Sequence, residues 1–190
     1  MLRRVRSLLG AARRGLRSSV DRRLHEGRRR AALSALRERG TPGRVLALCL
    51  GNVCRSPYVE AYLEQAVPGL DVRSAGFIGP DRSPPPEALA EARRRGLDTS
   101  GHRSRLVTGE SVEEADLVLL VDPAHERRMR RELRTAANGT PTLVLGDLDP
   151  VNVGSRRIED PWGQGEARFE EVFDRLDRCL DVLVHEWRER

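Results

Sequence analysis

The sequence contains no lysine, few aromatic residues and no long apolar run. All 34 basic residues are arginine, and the aromatic residues are two Trp, two Tyr and three Phe. No stretch approaches the roughly 18 apolar residues of a membrane-spanning helix, and no secretory leader is recognisable. Three cysteines do not provide a disulfide framework. These absences favour a cytoplasmic protein with reduced thiols, and 190 residues suffice for one domain plus an additional segment.

Positive charge is concentrated at the N-terminus. Residues 1–40 carry thirteen arginines and three acidic side chains, a net charge of about +10, whereas the whole chain carries +5. The remainder is therefore mildly acidic. A breaker signal at residues 41–43, Thr-Pro-Gly, separates the two parts. We predict a basic N-terminal arm over residues 1–42, partly helical or disordered, and a domain over residues 43–190.

Apolar residues recur in the arm at steps of three and four, with arginines between them. This spacing fits either a solvated basic tail or a helix that binds an anionic membrane surface or an acidic partner. The second interpretation would place the protein peripherally at the membrane. Nucleic acid is disfavoured as a partner, because aromatic residues and a nucleic-acid-binding pattern are both missing. The apolar positions are Leu2, Val5, Leu9, Ala12, Leu16, Val20 and Leu24.

Beyond residue 43, apolar strand patterns alternate with helix patterns. Continuous apolar strands separated by helices are typical of a parallel sheet covered on both faces. We therefore predict an α/β fold: a doubly wound, four-stranded parallel sheet with helices on both faces. The predicted strands are 45–49, 71–73, 117–121 and 142–145, and the predicted helices are 57–66, 86–95, 123–134 and 166–187.

Two cysteines and an arginine crowd the loop after the first predicted strand. Ligands of such sheets bind at the carboxyl ends of strands, and the N-terminus of the following helix favours an anion. A thiolate is favoured there too, which makes Cys49 the candidate nucleophile. The guanidinium of Arg55 can hold two oxygens of a tetrahedral oxyanion. This combination predicts phosphoryl transfer through a phosphocysteine.

The stretch CLGNVCRSP, residues 49–57, resembles the signature loop of the low-molecular-weight protein tyrosine phosphatases. The resemblance covers about residues 44–187, is closest to bacterial members, and leaves the arm outside. It implies a phosphate-binding loop after the first strand, a phosphotyrosine protein substrate and no cofactor. No metal is expected, because Arg55 and backbone amides supply the positive field. The other matching stretches are RSAG (73–76), GLDTSGHRSR (96–105), ADLVLLVD (115–122) and EDPWG (159–163).

The resemblance also implies roles for single residues. Asp160 would protonate the departing phenolate and then activate the hydrolytic water. Ser56 would donate a hydrogen bond to the nucleophilic sulfur, and Asn52 would adopt a left-handed conformation, which asparagine tolerates. Ser74 and His102 would hydrogen-bond to Asn52, although His102 fits a plain turn histidine equally well. The remaining loop positions, Leu50, Gly51, Val53 and Cys54, would surround the phosphate.

Three further side chains have alternative interpretations. Trp162 and Phe77 are candidates for the walls of a slot that accepts an aromatic ring. Cys54 is either a small buried residue or the redox partner that captures an oxidised Cys49 in a disulfide, as the family resemblance implies. Cys179 lies among apolar residues of the last predicted helix, which indicates a core position.

Two other functions remain open at this point. An arsenate reductase of the same fold would need further cysteines, and residues 76–122 contain none. A catalytically silent phosphoprotein-binding module would not need Cys49, Arg55 and Asp160 together. The sequence therefore favours a protein tyrosine phosphatase that acts on phosphotyrosine monoesters.

Overall fold

Four parallel strands form a sheet in the order β2-β1-β3-β4. This computed structural model of the chain describes residues 23–133 and 139–189. The chain passes from β1 to β2 on one side and then to β3 on the other, so the strand order reverses beside β1. Cys49, the last residue of β1, lies at that crevice, opposite Gly76 of β2. The strands are β1 (Arg44–Cys49), β2 (Asp71–Gly76), β3 (Leu117–Leu120) and β4 (Thr142–Val144).

Helices cover both faces of the sheet, which confirms the predicted fold class. Side chains of β1 alternate between two apolar clusters: Val45 and Ala47 belong to one, Leu46 and Leu48 to the other. Helices α1, α2, α3 and α6 contribute to the first cluster, and α4 and α5 to the second. The helices are α1 (23–39), α2 (Arg55–Ala66), α3 (Pro86–Arg94), α4 (Gly109–Glu113), α5 (Pro123–Glu132) and α6 (Glu166–Arg188), with a short 3-10 helix at Leu145–Asp147.

Local sequence explains where several helices begin. The Asp122 side chain accepts a hydrogen bond from the Ala124 amide and caps α5, and Pro123 occupies the first turn, where no amide partner is lost. Helix α2 begins two residues before the predicted position 57, because Pro57 is tolerated within a first turn. Helix α4, which the sequence pattern did not predict, has only five residues. Its capping box of Thr108 and Ser111 defines the start.

The described part of the predicted arm packs on the domain. Helix α1 buries Ala32 and Leu36 in the first apolar cluster, while Leu24 is exposed. The other apolar arm positions, from 2 to 20, lie outside the described residues. In the described part of the chain, no helix is long and apolar enough to cross a membrane. The boundary at residue 43 stays a prediction.

Candidate active site

Cys49 lies at the base of the loop that joins β1 to α2. It is buried, and its sulfur is approached by two donors, the Asn52 amide and the Ser56 hydroxyl, each at 3.1 Å from Sγ. Donors that point at a sulfur stabilise negative charge on it. Helix α2 starts at Arg55 without a side-chain cap, so its first amides are directed towards the same loop. The loop is therefore arranged to hold an anion above a nucleophilic sulfur.

Asn52 holds the loop in shape. Its φ angle of 51° lies in the left-handed region, as the sequence predicts. The side-chain Nδ2 donates to Ser56 Oγ at 2.9 Å and to Ser74 Oγ at 2.7 Å. Its Oδ1 accepts from the Arg105 amide at 2.7 Å. Asn52 therefore links the loop to β2 and to the segment after α3, and it orients the hydroxyl that reaches the sulfur.

A second group of side chains supports Asn52. His102 Nε2 lies 2.9 Å from the Asn52 carbonyl oxygen, which can only accept, so this nitrogen carries the proton. Burial lowers the pKa of His102, which favours the neutral ring. Its Nδ1 lies 3.6 Å from Glu60, which also accepts from Ser74 Oγ at 2.5 Å and pairs with Arg105 at 2.7 Å. The role of Glu60 was not predicted from the sequence, because a glutamate within a helix belongs to no recognisable motif.

Arg55 and Asp160 form an ion pair at the opposite side of the loop. Arg55 is 2 % exposed, and its Nη2 lies 2.6 Å from Asp160 Oδ2. Its Nη1 donates to the Ile158 carbonyl at 3.0 Å. Arg55 Nε has no hydrogen-bond partner among the described residues. The guanidinium is thus fixed by the chain segment that carries Asp160, and the two side chains predicted to act together are in contact.

A cavity opens above Cys49 between the loop and two other segments. Ile78 and Trp162 line it and are exposed, so apolar surface flanks the entrance. Trp162, one of the two predicted walls of the slot, thus lies at this cavity. The complete lining is Cys49, Leu50, Gly51, Val53, Cys54, Arg55, Ile78, Arg82, Arg157, Asp160, Trp162 and Gln164.

Phe77 does not line this cavity. Its ring is buried in the second apolar cluster, 5.5 Å from the His125 ring and 5.0 Å from the Arg128 guanidinium. Strand β2 continues to Gly76, so the side chain of the next residue turns towards the core and Ile78 lines the cavity instead. The structure therefore corrects the prediction for Phe77: the exposed apolar side chains that line this cavity are Trp162 and Ile78.

Arg82 is a cavity residue that the sequence did not reveal. Its guanidinium donates to the carbonyls of Gly51, Gly79 and Ile78 at 2.8, 2.8 and 3.0 Å. A Cβ at position 51 would lie 2.8 Å from Arg82 Nη2, so glycine allows this close approach. Arg157 also lines the cavity, and its guanidinium pairs with Asp122 and Glu159 at 3.2 and 3.3 Å. Arg82 lies in a loop without a family motif, and only its folded position reveals its contact with the phosphate-binding loop.

The other cysteines are buried. Cys54 is the last residue of the loop, directly before α2, and burial together with the nearby Cys49 raises the pKa of its thiol. Cys179 is fully buried in the first apolar cluster, as predicted for a core residue. No disulfide links the three cysteines. Within residues 23–133 and 139–189, no group of three or more His, Cys, Asp or Glu side chains could hold a metal ion.

Comparison with known sequences assigns most of the chain to one family. The profile of the "Low molecular weight phosphotyrosine protein phosphatase" family matches residues 44–190. A "Probable low molecular weight protein-tyrosine-phosphatase EpsP" from Ralstonia nicotianae is 33 % identical over 141 residues, 74 % of this chain and 92 % of that protein. The "Low molecular weight phosphotyrosine protein phosphatase" of Sus scrofa is 31 % identical over 153 residues, 76 % of this chain and 95 % of that protein.

Solved structures share the fold described above. The tyrosine phosphatase Wzb from Escherichia coli K30, in complex with sulphate, superimposes with a TM-score of 0.68 and 26 % identity, covering 77 % of this chain and 99 % of Wzb. The YwlE arginine phosphatase from Geobacillus stearothermophilus has a TM-score of 0.68 and 28 % identity, covering 78 % of this chain and 94 % of YwlE. In both comparisons the fold continues over almost the whole of the other chain.

Proposed function

The chain belongs to the low molecular weight phosphotyrosine protein phosphatase family and is therefore a protein-tyrosine phosphatase, and we propose that Cys49, Arg55 and Asp160 carry its reaction. The observation that supports these roles best is their position around one cavity. Cys49 lies at the base of the cavity with two donors on its sulfur, and the Arg55–Asp160 pair lies beside it. The family's hydrolysis passes through a phosphocysteine.

In the first step, the Cys49 thiolate attacks phosphorus, the bond from phosphorus to the phenolic oxygen breaks, and Asp160 gives its proton to that oxygen. Arg55 and the loop amides hold the other phosphate oxygens as charge develops. In the free protein the Asp160 carboxylate contacts Arg55 at 2.6 Å. An arriving phosphate takes over the guanidinium, which releases the Asp160 side chain from the ion pair and leaves it free to face the leaving oxygen.

In the second step, water replaces the cysteine. The Asp160 carboxylate takes a proton from water, the water oxygen attacks phosphorus, and the bond between sulfur and phosphorus breaks. Ser56 and the Asn52 amide, each 3.1 Å from Sγ, then stabilise the departing thiolate. Inorganic phosphate leaves, and the thiolate is ready for another cycle.

The cavity entrance favours an aryl phosphate over a phosphorylated arginine. Ile78 and Trp162 present exposed apolar surface suited to a phenyl ring. The Arg82 guanidinium lies at the same entrance, bound to backbone carbonyls, and would repel the positive charge of a phosphorylated guanidinium. Although YwlE is an arginine phosphatase, these contacts support phosphotyrosine in proteins as the substrate here.

The nucleophile is tested by Cys49→Ser. This variant should lose turnover of p-nitrophenyl phosphate and of a phosphotyrosine peptide, yet still bind inorganic phosphate in a titration, because Arg55 and the loop amides remain. Retention of more than a few per cent of the activity would exclude Cys49 as the nucleophile. Phosphoarginine, assayed in parallel with the parent protein, should be a much poorer substrate than the peptide. The reverse preference would contradict the assignment to tyrosine.

The acid is tested by Asp160→Asn with a series of aryl phosphates. For poor leaving groups kcat/KM should fall by about 10²–10⁴-fold, the usual contribution of general acid catalysis. The loss should shrink as the phenol becomes more acidic, because a good leaving group departs without a proton. A loss that is the same for every phenol would mean that Asp160 acts only on the structure of the loop.

We further propose that the protein is cytoplasmic and that residues 1–40 bring it to an anionic membrane surface or an acidic partner. A reducing compartment suits a free nucleophilic thiol, and the thirteen arginines of this segment support an acidic target. In α1, the apolar residues Ala32 and Leu36 are used by the domain core, so contacts of this helix with a membrane would come from its exposed face.

A further inference from the structure

Helix α1 precedes the part of the chain that the family profile matches, residues 44–190, yet it is built into the core. The buried positions of α1 recur at helical spacing, so the domain covers one face of the helix. Ala32 and Leu36 are 7 % and 4 % exposed. The buried and half-buried positions are His25, Gly27, Arg28, Arg29, Ala32, Leu33 and Leu36.

The C-terminal half of α1 and the turn after it are held by the end of α6. The Arg37 guanidinium donates to both carboxylate oxygens of Glu186, at 2.7 and 3.0 Å. Two residues after α1 ends, Thr41 Oγ1 donates to the Trp187 carbonyl at 3.2 Å. Trp187 itself is buried in the same cluster as Leu36. These contacts fix the helix against the domain.

The N-terminal half of α1 touches a different element, the turn after β4. Arg29 Nε donates to the Leu148 carbonyl at 3.3 Å. Arg28 Nε is buried 3.6 Å from Asp147 Oδ1, an ion pair without a hydrogen bond. Asp147 and Leu148 are themselves buried, so both arginines meet the base of the segment that follows β4.

That segment leads to Asp160 through a short series of contacts. Asp147 pairs with Arg156 through two hydrogen bonds of 2.7 and 2.5 Å. A Cβ added at Gly146 would lie 2.0 Å from the Arg156 carbonyl oxygen, so the two backbones are in close contact. Ile158 donates to the Val121 carbonyl at 2.8 Å and accepts from Arg55 at 3.0 Å. Asp160 follows two residues later.

Helix α6 holds the same segment from the other side. The Arg175 guanidinium binds the fully buried Asp149 at 2.9 Å and the carbonyls of Ser155 and Arg157 at 2.5 and 2.6 Å. Within residues 145–158, α1 therefore contacts positions 147 and 148, and α6 holds positions 149, 155 and 157. The α6 contacts lie within the family domain, whereas those from Arg28 and Arg29 are an addition specific to the preceding helix.

We propose that Arg28 and Arg29 are positioning residues for the general acid: through Asp147 and Leu148, α1 fixes the segment that places Asp160 against Arg55. The proposal rests on the acid role of Asp160 proposed above. The N-terminal segment would then influence catalysis. A partner that pulls α1 away from the domain would make the position of Asp160 less fixed without contacting Cys49.

The test compares two double variants of the full chain. Arg28→Met/Arg29→Met removes both contacts, because methionine has a similar length and no N–H donor. Arg30→Met/Arg39→Met makes the same change in charge at exposed positions of the same helix. For each protein, kcat/KM is measured over aryl phosphates of increasing phenol acidity. The first variant should lose about 3–10-fold with the poorest leaving group, the worth of the one hydrogen bond that Arg29 donates, and almost nothing with the best. The control should match the parent throughout.

A purely structural effect would give a different pattern. Loss of folded protein lowers kcat/KM by the same factor for every phenol, and that result would overturn the proposal. The pair is therefore repeated in the Asp160→Asn background, where removal of Arg28 and Arg29 should have no further effect. A persistent loss there would also overturn it. If the double variant does not fold, Arg29→Lys, which keeps a donor, is compared with Arg29→Met, which has none, and only the lysine variant should keep the parent dependence on the leaving group.

The acid role of Asp160 and the positioning role of Arg28 and Arg29 can be refuted separately. If Asp160→Asn itself shows no dependence on the leaving group, the acid assignment fails. If Asp160→Asn does show that dependence while the Arg28 and Arg29 variants lose activity uniformly or not at all, the acid assignment stands and the positioning role is refuted.

Discussion

Acid should destabilise this protein through His125. The ring lies in the first turn of α5 and is 6 % exposed, and its Nδ1 has no hydrogen-bond partner among the described residues. Burial, reinforced by the positive charge of Arg55, lowers the pKa of His125 from 6.5 to about 4. Asp122 and Asp160 oppose this shift and Arg128 adds to it. The native ring therefore resists protonation.

The direction in which pH changes the free energy of unfolding follows from which state of the protein binds the proton at position 125. Between about pH 6.5 and pH 4 the unfolded chain binds a proton at position 125 and the native protein does not. The stabilisation is therefore fully present above about pH 6.5 and is lost progressively as the pH falls from about 6.5 to about 4. The difference in pKa corresponds to about 3 kcal/mol in total, of which about 2 kcal/mol is lost between pH 7.5 and pH 5.

The measurement is urea unfolding at pH 7.5 and pH 5.0, followed by circular dichroism, for the parent protein, His125→Gln and His185→Gln. His185 is an exposed histidine and serves as the control. From pH 7.5 to pH 5.0 the parent should lose about 2 kcal/mol more of its free energy of unfolding than His125→Gln loses. A packing defect caused by His125→Gln lowers the free energy of unfolding equally at both pH values, so it cancels when the losses between the two pH values are compared. Equal losses in the parent and His125→Gln would refute the reasoning.

Two other predictions concern the second cysteine and the arm. Cys54→Ser should keep most of the phosphatase activity but recover less of it with dithiothreitol after peroxide, because no neighbouring thiol would condense with an oxidised Cys49; equal recovery in both proteins would exclude protection. The full chain should bind anionic vesicles at about 0.15 M salt in preference to neutral vesicles and duplex DNA, since each engaged arginine contributes about 1 kcal/mol. A chain that starts at Arg23, and so retains α1, should bind them weakly; unchanged binding would refute the membrane interpretation.

Sequence patterns predict the sheet well, because buried parallel strands are continuous apolar runs. Val45–Cys49 and Leu117–Val121 could be recognised in this way, and β3 ends one residue before the predicted boundary. The predicted strand 71–73 instead continues to residue 76. That extension decides which of Phe77 and Ile78 meets the cavity, since neighbouring side chains of an extended segment point to opposite sides. A short polar strand end carries no periodicity from which it could be foreseen.

Contacts between segments that are far apart along the chain could not be predicted from the sequence either. The pairing of Asp149 with Arg175 joins residues 26 apart, and Arg29 reaches a carbonyl 119 residues away. An arginine-rich helix is usually solvated, so nothing in its composition indicates that one stripe is covered. By contrast, the loop from Cys49 to Ser56 was predictable, because its residues act within a few positions of one another along the chain.

The two tryptophans give the protein separate optical reporters. Trp162 stands exposed at the entrance of the cavity, whereas Trp187 is buried beside the turn that joins α1 to the sheet. Emission from Trp162 should lie at longer wavelength and be quenched by acrylamide, and it should respond when an oxyanion occupies the loop. Emission from Trp187 should lie at shorter wavelength and change only when α1 leaves its place. Two single-tryptophan variants would thus allow ligand binding and helix release to be followed in solution without any added dye.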